Sequence, residues 1–113
     1  MQAADTLGAR FVRLDVTDPA SVAATVELVR ALDVLVNNAG ISGGRINPSE
    51  ATTDHMRTVY ETNVFGPVRV LRAFLPLLEK SSAPVVVNVS SGVGSLNLAA
   101  DPEGPWRQAN FPV

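Results

Sequence analysis

The sequence contains no cysteine, which excludes disulfides and thiolate metal sites. The only histidine, His55, has no second potential ligand patterned around it, so we expect a solvated helix position and no metal site. A chain without cysteine suits a reducing compartment, and the cytoplasm is the predicted location.

Long apolar runs and clusters of basic residues are also missing. No segment approaches the roughly 20 apolar residues that span a bilayer, and the amino terminus lacks the pattern of a secretory signal. Charges are interspersed and sum to −2, so neither nucleic acid nor a membrane is a predicted partner. Asn88, Val89 and Ser90 match the glycosylation sequon, but their predicted place at the end of a buried strand argues against its use.

The 113 residues, of which 46% are apolar, suffice for one small domain and leave no room for a second. Two apolar runs, at 34–36 and 85–87, stop abruptly at amides, hydroxyls and a glycine. Such runs indicate buried parallel strands, and ligands bind at the carboxyl ends of strands in an open α/β sheet. The sequence therefore predicts a small-molecule site where these two strands end.

The segments before the first of these runs alternate in type. Residues 1–9 are predicted to form the end of a helix with Gly8 as its stop signal, and residues 11–16 to form a strand. Asp18 and Pro19 then predict the start of a helix that runs to about Leu32. Its apolar face is formed by Val22, Val26 and Val29.

Residues 53–79 are predicted to form one long helix that lies across the sheet. Its apolar stripe is Tyr60, Val64, Val68, Leu71, Leu75 and Leu78. Pro67 has no amide hydrogen, so the helix should bend at Gly66 and Pro67 and leave the Asn63 carbonyl free for water or ligand. A kink that only follows the curvature of the sheet is an equally good interpretation.

Strand, helix, strand, helix, strand is the order of an α/β fold with three parallel strands and right-handed crossovers. Four motifs in this order together resemble the short-chain dehydrogenase/reductase family, and they begin at Asp15, Asn37, Asn63 and Asn88. The resemblance implies part of a Rossmann-type doubly wound sheet, with residues 1–113 as a partial dinucleotide-binding domain. It also implies an NAD- or NADP-dependent oxidoreductase that transfers hydride between nicotinamide and a small carbonyl or secondary alcohol substrate.

The resemblance assigns cofactor contacts to five residues. Asp15 and Val16 match the positions that contact the adenine, although an aspartate that only caps the following turn is an alternative. Asn37, Ala39 and Gly40 match the motif that supports the sheet and lines the cofactor ribose. Asn38 is expected at the same edge, with a left-handed turn conformation as the alternative.

Two further residues receive catalytic roles from the same resemblance. Ser91 matches the serine that hydrogen-bonds the substrate oxygen, with Ser90 as its rival because alternation would turn only one hydroxyl toward the site. Asn63 matches the helix asparagine whose main-chain carbonyl holds a water in a proton relay.

The sequence also departs from the family pattern. No glycine-rich cofactor turn precedes Phe11, and the family's tyrosine and closely following lysine are absent before Val113. Tyr60 and Lys80 lie in the wrong elements. We therefore expect an internal piece of a longer enzyme that is inactive alone, with a non-catalytic nucleotide-binding or scaffold protein, or a truncated product, as alternatives.

Two remaining expectations concern surfaces. Trp106 and Phe111 either wall the substrate pocket or cover a loop. By analogy with the family, helix 53–79 is a candidate contact between the subunits of a homo-oligomer.

Overall fold

The computed structural model describes residues 2–44 and 46–104. Within these ranges the chain forms two strands, five α-helices, a π-helical turn and two short 3-10 turns. The helices are α1 (Gln2–Thr6), α2 (Pro19–Leu28), α3 (Thr53–Tyr60), α4 (Gly66–Leu78) and α5 (Leu96–Ala100). The strands are β1 (Val34–Asn37) and β2 (Val85–Asn88). The 3-10 turns are Pro48–Glu50 and Gly92–Gly94, and the π-turn is Glu61–Phe65.

The two strands are parallel neighbours, as the sequence predicts. Their register pairs Val34 with Val85 and Asn37 with Asn88. The pairing continues beyond β2, where the Val89 amide donates to the Asn37 carbonyl at 2.9 Å. Because the strands are in register and parallel, their polar carboxyl ends lie at the same edge of the sheet.

The prediction of a third strand at residues 11–16 is wrong for the described part of the chain. This segment has no regular secondary structure and joins neither β1 nor β2, so the sheet has two strands. Alternating residues indicate extended backbone, whereas a strand also needs a ladder partner. Helix side chains hold the segment instead, because the Thr25 hydroxyl and the Arg69 guanidinium donate to the carbonyls of Arg13 and Val16.

The predicted starts of the helices are confirmed and one predicted end is wrong. Asp18 caps α2 by accepting from the Ala20 amide at 2.9 Å, and Pro19 is the first helical residue. The helix ends at Leu28 rather than near Leu32, because Val29 already has extended backbone. Gly8 follows α1 with a φ of 64°, which fits its predicted role as a stop signal.

A small core forms where α2 and α4 meet. Val22, Val70 and Phe74 are buried there, and partly buried apolar residues of β1 and of the extended segments pack around them. The prediction that the apolar stripe of the long helix packs on the sheet is largely wrong. Four of its six members are exposed, namely Tyr60, Val64, Val68 and Leu75. Apolar residues occupy two faces of α4, and the sequence pattern does not show which of them meets α2.

A π-turn at Glu61–Phe65 breaks the long helix. The Gly66 amide donates to the carbonyl of Glu61, five residues earlier, so the turn contains one extra residue. This residue changes the helical phase between α3 and α4, and the buried side of α4 is formed by Val70, Phe74 and Leu78. The bend predicted at Gly66 and Pro67 is thus an interruption just before them, and Pro67 lies in the first turn of α4.

Much of the sheet remains uncovered by the described residues. The strand valines are 40 to 53% exposed: Val34, Val36, Val85, Val86 and Val87. None of the helices in the described ranges has the length and apolar character needed to cross a bilayer.

Candidate functional site

An open cavity of about 830 Å³ lies at the carboxyl ends of β1 and β2. Residues 37–42 form one wall and residues 88–91 another, and the long helix closes the side between them with Asn63, Val64, Pro67, Val68 and Leu71. The cavity contains five of the seven residues assigned to a site from the sequence: Asn37, Ala39, Gly40, Asn63 and Ser91. Amides, a hydroxyl and apolar helix residues thus converge at the edge where a ligand is expected.

A side-chain hydrogen bond joins the two strand ends. The Asn37 amide nitrogen Nδ2 donates to the Asn88 oxygen Oδ1 at 2.8 Å, between residues that are also partners in the strand register. This bond ties the ends of β1 and β2 together. Asn88, which was not assigned to the site from the sequence, is the partner that this bond requires.

Asn63 holds the loop that follows β1. Its Oδ1 accepts from the Ile41 amide and its Nδ2 donates to the Ile41 carbonyl, both at 2.8 Å. The side-chain amide therefore pairs with the loop backbone as a neighbouring strand would. The sequence analysis considered only the main-chain carbonyl of Asn63, whose water-binding role stays a prediction. An asparagine inside a long helix, where its propensity is poor, was the available signal for a side-chain role.

The loop conformation corrects one expectation and leaves another as a prediction. Among the described residues, positive φ occurs only at glycines, so the left-handed interpretation of Asn38 is wrong. The positive values in this loop lie at Gly43 and Gly44. A Cβ atom on Gly40 would meet the Asn63 Oδ1 at 3.6 Å, an ordinary contact. The described contacts therefore do not require glycine at this position, and its place along the cofactor ribose stays a prediction.

Ser91 is exposed and caps the 3-10 turn Gly92–Gly94. Its Oγ accepts from the Val93 amide at 3.2 Å. A hydroxyl that accepts in this way keeps its own hydrogen for donation to another oxygen. Ser90 lines the same cavity, because β2 has ended at Asn88 and strand alternation no longer separates the two serines.

Asp15 and Val16 lie outside this cavity. Val16 lines an adjoining apolar cavity of about 330 Å³, which shares Asn37 and Ala39 with the first. The Asp15 Oδ1 accepts from the hydroxyl and the amide of Thr17 at 2.7 and 2.9 Å. These bonds hold the pKa of Asp15 below its ordinary value of 3.8, with a smaller contribution from the charge of Arg13.

The other polar groups singled out in the sequence do not join the cavity. The Tyr60 ring packs against the Phe65 ring, with centroids 6.5 Å apart. His55 is exposed, as expected, and it also completes a capping box in which its Nδ1 accepts from the Thr52 amide. The described residues contain no group of three or more potential metal ligands. Trp106 and Phe111 lie outside the described residues.

Comparisons with known proteins agree with this arrangement. A family model described as short chain dehydrogenase matches residues 1–102. The (+)-neomenthol dehydrogenase of Arabidopsis thaliana is 40% identical over an alignment that covers 76% of this chain and 36% of that protein. An NADPH-bound carbonyl reductase from chicken fatty liver superposes with a TM-score of 0.81 and 32% identity over 95% of this chain and 46% of the reductase.

A menthone neomenthol reductase from Mentha piperita superposes with a TM-score of 0.66 and 31% identity, over 82% of this chain and 48% of that chain. The chain thus spans less than half the length of each of these three proteins. Its fold is of the Rossmann type, with two parallel strands in the described part. Since the family model matches most of the sequence and the solved relatives share its fold, the chain belongs to the short-chain dehydrogenase family.

Proposed function

We propose that the cavity at the ends of β1 and β2 holds the nicotinamide end of NAD or NADP beside a small carbonyl or alcohol substrate. The observation that carries this proposal is the convergence of Asn37, Ala39, Gly40, Asn63 and Ser91 on one cavity at the carboxyl edge of a parallel sheet. NADPH in the chicken carbonyl reductase supports the choice of cofactor class. When bound, the cofactor supplies or accepts the hydride.

In this proposal Ser91 stabilises charge on the substrate oxygen. Its hydroxyl hydrogen is free to donate while its oxygen accepts from Val93. A donor aimed at a carbonyl oxygen that becomes an alkoxide stabilises the transition state more than the ground state. Ser91 needs only to be positioned for this role, and the cap on the following turn positions it.

The remaining residues bind and orient. The Asn37–Asn88 and Asn63–Ile41 hydrogen bonds keep the cavity wall in place before any ligand binds, which lowers the entropic cost of orienting a substrate. Ala39 and Gly40 would lie along the cofactor ribose, and Asp15 and Val16 would contact the adenine. The main-chain carbonyl of Asn63 would hold a water of a proton relay.

We propose that residues 1–113 act as a partial dinucleotide-binding domain within a longer oxidoreductase. The family relationship predicts a glycine-rich phosphate turn and a tyrosine with a lysine near it in the rest of such a protein. The tyrosine would be the general acid that protonates the product alkoxide. Activity is therefore expected of the intact gene product and not of this segment alone.

The test compares serine variants in the intact gene product. Turnover of cyclic ketones and secondary alcohols is followed by the absorbance of reduced nicotinamide, with NADPH and NADH in parallel. We expect Ser91→Ala to lower kcat by about 100-fold or more, the effect of losing one oxyanion donor, while cofactor affinity is retained. Ser90→Ala is the matched control and should lose far less.

Two outcomes would contradict the proposal. Equal losses in the two serine variants would remove the assignment of Ser91. Tight nucleotide binding without turnover of any carbonyl or alcohol by the wild-type protein would favour the non-catalytic nucleotide-binding alternative.

Self-association, the cytoplasmic location and the exclusion of nucleic acid and membrane partners stay predictions. Self-association is supported by the exposed apolar side chains along helix 53–79. Among them are Met56, Tyr60 and Leu75, which are 44 to 51% exposed. Burial of such side chains against a second copy would be favourable. Light scattering of the intact gene product should give the mass of a dimer or tetramer.

A further inference from the structure

The Arg69 guanidinium connects three parts of the chain. Its Nη1 donates to the Val16 carbonyl, and its Nη2 forms an ion pair with the Glu61 carboxylate. The Arg69 side chain is 24% exposed and that of Glu61 is 42% exposed, so water screens this pair only in part. Hydrogen bonds from a charged donor are stronger than neutral ones, and the planar guanidinium directs two of them at once.

The π-turn makes this pair possible. Glu61 and Arg69 are eight residues apart, whereas two turns of an α-helix take about 7.2 residues. The extra residue of the π-turn brings two turns to about 8.2 residues, so both side chains reach the same side of the helix. In an unbroken α-helix they would point in clearly different directions.

A second contact from the same helix fixes the same residue. Gly66, the first residue of α4, lies so close to Val16 that an added Cβ would come within 2.9 Å of its Cγ2. The carbonyl of Val16 is thus held by Arg69 while its side chain is packed against the helix backbone. Segment 11–16 has no strand partner among the described residues, so contacts with helices determine its position. Thr25 and Ser21 of α2 bond the Arg13 carbonyl and the Asp15 amide, and the α4 contacts hold Val16, the residue at its end.

We propose that Arg69 is a positioning residue for the adenine end of the cofactor. Asp15 directly precedes the residue that Arg69 holds, and Val16 lines the cavity that adjoins the candidate site. Arg69, itself held by Glu61, sets the position of these two residues relative to the site without touching the cofactor. This inference rests on the proposed function, because it assigns Asp15 and Val16 to the adenine.

The experiment measures binding of each half of the cofactor to the intact gene product. Arg69→Met keeps most of the apolar stem and removes the guanidinium. We expect its Kd for NADP+ and for adenosine monophosphate to rise about tenfold, while its Kd for nicotinamide mononucleotide and its kcat at saturating cofactor stay unchanged. Arg72→Met, one turn further along α4 at an exposed position, is the control and should bind both halves like the wild type.

Two further variants keep the test decisive if Arg69→Met does not fold. Glu61→Gln retains a neutral acceptor for Arg69 and should weaken adenosine monophosphate binding in the same direction by a smaller factor. Arg69→Lys keeps the charge but cannot direct two fixed bonds, and should restore binding only in part.

The possible results separate the two claims. Equal weakening of both cofactor halves, or no weakening of either, would overturn the positioning role while leaving the proposed function intact. If the wild-type protein binds none of the three nucleotides, the proposed function fails. In that case faster amide exchange at residues 15–17 in Arg69→Met would still show that the contact orders this segment.

Discussion

Replacing Asn63 with alanine would remove the side chain that holds the loop after β1 while leaving its main-chain carbonyl in place. Two hydrogen bonds of 2.8 Å to the backbone of Ile41 would be lost. A neutral hydrogen bond contributes about 0.5–1.5 kcal/mol net, so the two together contribute about 1–3 kcal/mol. Ile41 is 42% exposed, which lets water replace the lost partners and places the expected loss in the lower half of that range.

Helix propensity acts against this loss. Alanine is favoured over asparagine inside a helix by about 0.5 kcal/mol, which leaves an expected net destabilisation of roughly 1 kcal/mol. Asn97→Ala, at an exposed position of α5, makes the same side-chain change away from the loop and is the control. Asn63→Asp should cost more than Asn63→Ala at neutral pH, because a carboxylate oxygen would then face the Ile41 carbonyl.

Urea denaturation of the intact gene product gives the free energies of unfolding, and hydrogen exchange gives the protection of the Ile41 amide. We expect the Ile41 amide to exchange faster in Asn63→Ala and to keep its protection in Asn97→Ala. If Ile41 exchange is unchanged, and Asn63→Ala is as stable as the control, Asn63 does not hold this loop.

Two more predictions concern the contact of segment 11–16 with the long helix. Gly66→Ala should destabilise the protein by about 1–3 kcal/mol despite the better helix propensity of alanine, because the new Cβ would lie 2.9 Å from Val16 Cγ2. Gly94→Ala, whose new Cβ would meet nothing within 4 Å, is the control. Equal stability of the two variants in urea denaturation would refute the close contact. Thr17→Val should raise the pKa of Asp15 toward 3.8 by removing the hydroxyl bond that lowers it most, as measured by the carboxyl-carbon chemical shift. A carboxyl group whose pKa is lower in the folded protein than in the unfolded chain stabilises the fold at pH values above its unfolded-state pKa. This stabilisation is lost as the pH falls through the folded-state pKa. The variant, in which the pKa of Asp15 is less lowered, should therefore lose less stability on acidification. An unchanged titration midpoint would contradict this assignment.

The sequence predicts well those features that depend on local pattern. Apolar runs that stop at amides and hydroxyls identified β1 and β2, and the caps at Asp18 and Gly8 identified helix limits. The candidate site followed from the same pattern, because the carboxyl ends of neighbouring parallel strands meet at one edge. Asn37, Ala39, Gly40 and Ser91 lie together for this reason, whereas Asn63 reaches the cavity from the long helix.

Features that depend on which face of a helix is buried, or on distant partners, could not be predicted in this way. Val70 and Phe74 are buried because that face of α4 packs against Val22 of α2, whereas Val68 and Leu71 of the predicted stripe line the open cavity. The bonds from Asn63 to Ile41 and from Arg69 to Val16 join residues 22 and 53 positions apart. Segment 11–16 has the pattern of a strand, but pattern alone does not supply a ladder partner.

The central claim is that the cavity at the ends of β1 and β2 binds the nicotinamide end of the cofactor. The most direct measurement is a crystal structure of the intact gene product at saturating NADP+. We predict that the nicotinamide riboside lies against residues 37–40, with the ring near Ser91 and the adenine near Asp15 and Val16. A nucleotide bound elsewhere, or a cavity that stays empty while the protein binds NADP+ in solution, would contradict the account.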